Sequence, residues 1–162
     1  MKIQNFDYTT IKTFKDACQK IGADPEEFYR KYEGYPDHIK ALIKLEVIVK
    51  ALNDGWRYPL DGEAKGYYPY FVIINDSFND EYKDFILGSK NTFDYVRPDG
   101  TRGYCYVCDF DNEIRSSAAI SYRLLCKTPE MAIYCGRQFK GLWASHLYPQ
   151  TYLSEYKNDE PW

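Results

Sequence analysis

The sequence predicts an α+β fold: an N-terminal three-helix segment, an antiparallel sheet of about four strands, and a C-terminal helix packed on the sheet. Three observations carry this reading. Residues 10–55 hold apolar side chains at helical spacing between cap signals; from Tyr67 the composition turns to β-branched and aromatic runs broken by turn residues; and after Thr128 the helical period returns. Residues 1–148 read as a single domain and residues 149–162 as a loosely held tail of mixed polarity.

The first helix is expected over residues 10–21, where Ile11, Phe14, Cys18 and Ile21 share a face, Thr10 stands as N-cap and Gly22 follows the end. Asp24-Pro25-Glu26-Glu27 starts the second, with an Asp cap, Pro at the first helical position and acids at the positive end of the dipole. The third, residues 37–56, is the most apolar segment. Ala41, Leu42, Leu45, Ile48, Val49 and Leu52 form one stripe and Ile39, Ile43 and Val47 another, separated by Lys40 and Lys44 on one side and by Glu46, Lys50 and Asn53 on the other. Two stripes imply cover on two sides, by a sheet and by other helices.

Residues 56–66, with Pro59, Gly62 and Gly66, read as a surface loop, and as an ordered one because the stretch also carries Trp and Tyr. YYPYFVII from Tyr67 is the first strand, with Pro69 suited to a strand start, an edge or a bulge. Further strands are expected at residues 85–87, 93–97, 104–110 and 120–126, and Arg97-Pro98-Asp99-Gly100-Thr101 marks a hairpin turn between two of them. Thr128-Pro129-Glu130 opens the last helix, which places Met131, Ala132, Cys135, Phe139, Leu142, Trp143 and His146 on one face, set to lie across the sheet.

Composition excludes several function classes. The net charge of −3 provides no basic field, which disfavours duplex DNA, and in the first third of the chain nine basic residues balance nine acidic ones, so no basic recognition helix stands out. No 18-residue apolar run and no signal-like N-terminus occurs, which points to a soluble cytoplasmic protein without a membrane partner. Five scattered cysteines fit reduced thiols rather than a disulfide framework. The 17 Tyr, 9 Phe and 3 Trp must do much of the packing.

Motifs with chemistry are few. Cys105-Tyr-Val-Cys108 lies in a strand pattern, where residues three apart face opposite ways, so two packing cysteines are preferred to a redox pair or half a zinc site. His38 and His146 are the only histidines and lie far apart in sequence, and no metal site or cofactor is expected. Asp109-Phe-Asp111-Asn112-Glu113 begins like a calcium loop but carries Ile114 and Ile120 where Gly and Glu are required. Residues 75–113 hold nine acidic and four basic side chains, a solvated face or an interface for a basic partner. No nucleophile elbow, phosphate loop or dinucleotide fingerprint is present, so no catalytic residue is assigned.

What remains is aromatic rings accompanied by arginine, a pairing suited to stacking on bases or gripping a protein. Trp56, Tyr68 and Arg123 are the candidate ligand-binding residues.

Three stretches together carry a resemblance: IKTFKDACQKIGADP at residues 11–25, KLEVIVKALNDGW with YYPYF within residues 44–71, and SYRLLCKTPEMAIYCGRQFKGLW at residues 121–143. They look like a group of small proteins encoded by phages and prophages of Bacteroides and related gut bacteria. That group brings no known activity. The chain departs from its pattern at Tyr58-Pro59-Leu60, where a second Trp is usual, and at Ser121-Tyr122-Arg123-Leu124, where Gly-Ser-Arg-Leu is usual. The resemblance implies a mobile-element protein in a bacterial cytoplasm. The leading expectation is a non-enzymatic binding protein whose partner is a host or phage protein or a small nucleotide-like ligand, with a homo-oligomer left open. The alternatives are a single-stranded nucleic-acid binder that uses its aromatic strands and, last, an enzyme with a spatially assembled site.

Overall fold

The computed structural model of the chain describes residues 6–59, 65–73, 93–96, 102–110 and 122–147. Helix α1 (Phe14–Ile21) begins with a reciprocal cap: the Thr13 hydroxyl accepts the Asp16 N–H at 3.1 Å, and the Asp16 carboxylate accepts the Thr13 N–H at 2.8 Å. Thr10, expected as the cap, instead closes a short 3-10 turn (Tyr8–Thr10) capped by Asp7. The Thr13–Asp16 pair satisfies two orphan N–H groups where Thr10 could satisfy one, so the helix starts three residues later. Gly22 ends α1 in the left-handed region at φ 70°. Helix α2 (Pro25–Tyr32) opens as expected, with Asp24 accepting the Glu26 N–H at 2.9 Å.

Helix α3 (Asp37–Leu52) buries Ala41, Leu45, Ile48, Val49 and Leu52 as one continuous stripe, while Ile39, Ile43 and Val47 are only half-buried. Past its end, Asp54 and Gly55 take positive φ (47° and 85°) and reverse the chain. Asn53 is the C-cap and is itself buried. Its side-chain amide donates to the Leu125 carbonyl at 2.8 Å, and its side-chain oxygen accepts the Lys127 N–H at 2.9 Å. One side chain thus fastens the end of α3 to a segment more than 70 residues away.

Strands β1 (Gly66–Ile73), β2 (Phe93–Val96) and β3 (Arg102–Phe110) pair in the order β1-β3-β2, all antiparallel, with Gly66 opposite Phe110 and Val96 opposite Arg102. The β2–β3 pairing is the one the Arg97–Thr101 turn signal implies, although residues 97–101 themselves lie outside the described ones. Pro69, which has no N–H to give, stands in the edge strand β1. Helix α4 (Pro129–Gln138) packs on β1 and β3, and helix α5 (Lys140–Leu147) packs on α3. Tyr134 on α4 reaches the Thr9 and Ile11 carbonyls (3.1 and 2.8 Å), and Gln138 donates to the Lys12 carbonyl (2.9 Å), which ties α4 to the N-terminal turn.

The predicted fold class, an α+β domain on a sheet of about four strands under a single helix, is corrected by this arrangement. Helix dominates the described residues. Of the strand expected at residues 120–126, the described part, residues 122–126, does not form one: Tyr122–Leu124 is a 3-10 turn, and Cys126 bridges to β1, exchanging N–H···O bonds with Tyr67 at 2.7 and 3.0 Å. Their alternating pattern is overridden because Leu124, Leu125 and Cys126 are all buried in sequence, which a strand with one solvent face cannot do. The single C-terminal helix is likewise two. Phe139 leaves helical geometry (φ −111°, ψ 30°), and beyond the break α5 packs on α3 while its buried Trp143 keeps a ring contact with Phe71 of β1. The two covers of α3 are therefore helical, α1 and α5, with the 3-10 turn between. The expected strand at residues 85–87, the acidic stretch apart from residues 93–96 and 102–110, and the tail at residues 149–162 lie outside the described residues.

Candidate functional site

Between α2 and the N-terminal half of α3 lies an open groove of about 360 Å³. Its apolar walls are the rings of Phe28, Tyr29 and Tyr32, and its polar groups are Arg30, Lys40 and Lys44 against Glu33 and Asp37. The local sequence produces it simply. Phe28, Tyr29 and Tyr32 share the inner face of α2 at i, i+1 and i+4, and α3 answers with Lys40 and Lys44 one turn apart.

Lys44 is the group that sets the site apart. It is buried, at 5 % exposure, on the face of α3 turned to α1 and α2. Its ammonium lies 5.0 Å from the Tyr29 ring centroid, 5.3 Å from Phe14 and 5.8 Å from Phe28. A desolvated ammonium costs several kcal/mol, and each ring face returns about 0.5–2 kcal/mol, so the three rings offset part of the cost of a cation at this depth. The rings also hold one another: Phe14–Phe28 and Phe28–Tyr32 centroids are each 4.8 Å apart. Cys18 on α1 feels the same neighbourhood. Burial raises its thiol pKa and Asp24 adds to the rise, while Lys44 opposes it.

At the groove mouth Lys40 meets Asp37 at 3.3 Å, with both side chains substantially exposed. A pair in that setting contributes at most about 1 kcal/mol. Tyr35, beside Tyr32 at 5.3 Å edge to face, is 49 % exposed and extends the aromatic surface outward.

The sequence-predicted residues lie elsewhere. Trp56 follows the α3 exit, half-buried, with its ring edge-on to Tyr58 at 6.3 Å and its N–H on the Asn53 carbonyl. Tyr68 is half-buried on β1, edge-on to Tyr70 at 6.5 Å. Arg123 is exposed on the 3-10 turn, 3.5 Å from Glu46 of α3. Neighbours of each in sequence meet at the 125–127 segment, where Asn53 bonds Leu125 and Lys127 and Tyr67 bonds Cys126. The described cavity is not there but at the other end of α3. Lys44 had been read only as a polar divider between two apolar stripes. The signal that could have found it was a lysine one turn from Ala41 and Ile48 on the buried face, with Phe14 and the Phe28-Tyr29 pair on preceding helices to receive it.

Cys126 and Cys135 are both buried and in contact; the Cys135 hydrogen bond, together with burial, pushes the Cys126 thiol well above its ordinary range. A Cys126 thiol held that high is a poor nucleophile near neutral pH. His146 and His38, distant in sequence, meet where α5 crosses the start of α3, with His146 bonded to the His38 backbone. Among the described residues no group of three or more His, Cys, Asp or Glu could hold a metal ion. Nor is any helix among them long and apolar enough to cross a membrane.

Comparison with protein-family models, with curated proteins and with solved structures finds no match to this chain.

Proposed function

We propose that this chain is a non-enzymatic binding protein that holds a small ligand in the α2–α3 groove, and that it acts in the cytoplasm of a bacterial host as the product of a phage or prophage gene. The observation that carries the binding reading is the groove itself: about 360 Å³, walled by rings and floored by a cation fixed in an aromatic box. That volume lies at the lower end of the roughly 300–1,000 Å³ range of small-molecule sites. Apolar walls with a few fixed polar groups are what such sites use for affinity and orientation. The mobile-element setting rests on the three sequence blocks quoted above.

Native mass spectrometry of the protein purified from a bacterial host tests the reading. A small molecule retained by the wild type and lost from an Arg30→Glu variant supports it. Retention of a protein partner that both forms hold equally, with no small molecule, contradicts it. Salt-sensitive binding of a labelled oligonucleotide, unaffected by Arg30→Glu, would instead favour the aromatic-strand alternative at Tyr68 and Tyr70.

A further inference from the structure

We infer that the α2–α3 groove takes a free α-amino acid with an aromatic or apolar side chain, its carboxylate met by Arg30 and its ammonium by Glu33. The inference rests on the groove being the binding site and adds the chemistry of what fills it.

Two groups on α2 carry the argument. Arg30 and Glu33 both line the groove, three residues apart, a spacing at which opposite charges on a helix commonly pair. Among the described residues no ion pair engages either side chain, whereas Asp37 and Lys40 on the facing helix are already paired at 3.3 Å. Glu33 is also badly placed for the fold. It is the C-cap of α2, where the last carbonyls form the negative end of the helix dipole and disfavour a carboxylate. Its side chain is exposed, so packing does not offset that cost. A charge that works against its own helix is accounted for by what it can hold.

The spacing sets the ligand. Side chains three apart on a helix start about 5–6 Å from one another. A guanidinium and a carboxylate so placed suit a molecule whose own opposite charges sit on neighbouring atoms, as the ammonium and carboxylate of an α-amino acid do. The Arg30 fork can donate two parallel N–H···O bonds to the ligand carboxylate, and Glu33 can accept from the ammonium. The remainder of the molecule faces Phe28, Tyr29 and Tyr32, and burying a ring against them is worth at least about tenfold in affinity. Lys44 belongs to the wall, 5.0 Å from the Tyr29 ring centroid, and its charge has no part in this recognition. A groove of about 360 Å³ has room for one such molecule. Because Arg30 and Glu33 stand at the exposed rim, each contact is worth at most about fivefold.

Amide NMR titration, which reads weak binding, decides the matter with four probes: L-phenylalanine; N-acetylphenylalanine, which lacks the ammonium; phenylalaninamide, which lacks the carboxylate; and glycine, which lacks the ring. Phenylalanine is expected to bind about three- to fivefold more tightly than either single-charge analogue and at least about tenfold more tightly than glycine. Arg30→Gln should bring phenylalanine down to the level of phenylalaninamide, and Glu33→Gln to that of N-acetylphenylalanine. The melting temperature of Glu33→Gln should stay level or rise, because the helix end loses an adverse charge; a merely structural Glu33 would lower it. An analogue or glycine binding as tightly as phenylalanine overturns the inference while leaving the groove a binding site. So does Glu33→Gln if it melts lower or leaves phenylalanine binding unchanged. Silence of all four probes, with a copurified molecule still held in an Arg30-dependent way, also overturns the inference alone. Silence of all four with nothing copurified overturns both.

Discussion

Replacing Asn53 by Ala should cost far more than its place at the end of a helix implies. The side chain makes two long-range hydrogen bonds, to the Leu125 carbonyl at 2.8 Å and from the Lys127 N–H at 2.9 Å. Leu125 is 1 % exposed, so its carbonyl has no solvent to turn to, and leaving it unsatisfied costs about 1–3 kcal/mol. Lys127 is exposed and its N–H can find water, so that bond is worth only about 0.5–1.5 kcal/mol. The sum is a destabilisation of about 1.5–4.5 kcal/mol, which in a chain of this size lowers the melting temperature by roughly 3–18 °C. Urea unfolding with matched m-values is the assay. Asn53→Asp, which keeps the acceptor for Lys127 but sets a carboxylate against the Leu125 carbonyl, should lose at least as much at neutral pH. A loss below about 0.5 kcal/mol in both variants would refute the claim that this side chain locks α3 to the Leu125–Lys127 segment.

Three further outcomes follow from local geometry. Gly66→Ala would place a Cβ 2.9 Å from Leu125 Cδ1 and 3.0 Å from Tyr58 Cδ2, so it should destabilise by about 1–3 kcal/mol in the same urea assay. Burial holds the His146 imidazole below its ordinary 6.5, against the opposing hydrogen bond to the His38 backbone and with the His38 charge adding to the fall. The folded state therefore binds its proton later than the unfolded one. Stability should fall as pH drops through about 6.5 and level off below the folded value, and His146→Gln should flatten that slope. At Asp16 burial raises the carboxyl pKa, but the hydrogen bonds from Lys12 and Thr13 outweigh it and keep the group below its ordinary 3.8. Its contribution is present above that value and lost as pH falls through the lowered one, so the gap between wild type and Asp16→Asn should close in acid.

The helical part of the fold was legible because its signals are local. Asp24-Pro25, Gly22 and Thr128-Pro129 act within one turn of chain, and the structure uses each as a cap. Where competing local signals existed, at Thr10 and Thr13, the choice depended on a reciprocal partner, Asp16, three residues on. The sheet and the C-terminal helix were misread because tertiary packing decided them. Leu124, Leu125 and Cys126 alternate like a strand only if Leu125 is excused, and it is the burial of all three that forces a 3-10 turn. Gly136 lies inside α4 and Gly141 inside α5, so neither glycine near Phe139 stands at the helix end itself; after the break Trp143 packs near Phe71 (5.9 Å between centroids).

The candidate site was harder still. Trp56, Tyr68 and Arg123 stand out in the sequence as aromatic rings accompanied by arginine, whereas the described cavity lies at the other end of α3. A lysine on an apolar helix reads as surface until the rings of two other helices are known to close over it. Lys44 could be weighed only once α1, α2 and α3 were packed together.

The most direct test of the central claim is where a ligand perturbs the protein. Amide NMR spectra of the protein with and without the small molecule that copurifies with it should differ at residues 28–44, on both sides of the groove, and the difference should vanish in Arg30→Glu. Shifts centred instead on Trp56, Tyr68 and Arg123, with residues 28–44 unmoved, would contradict it.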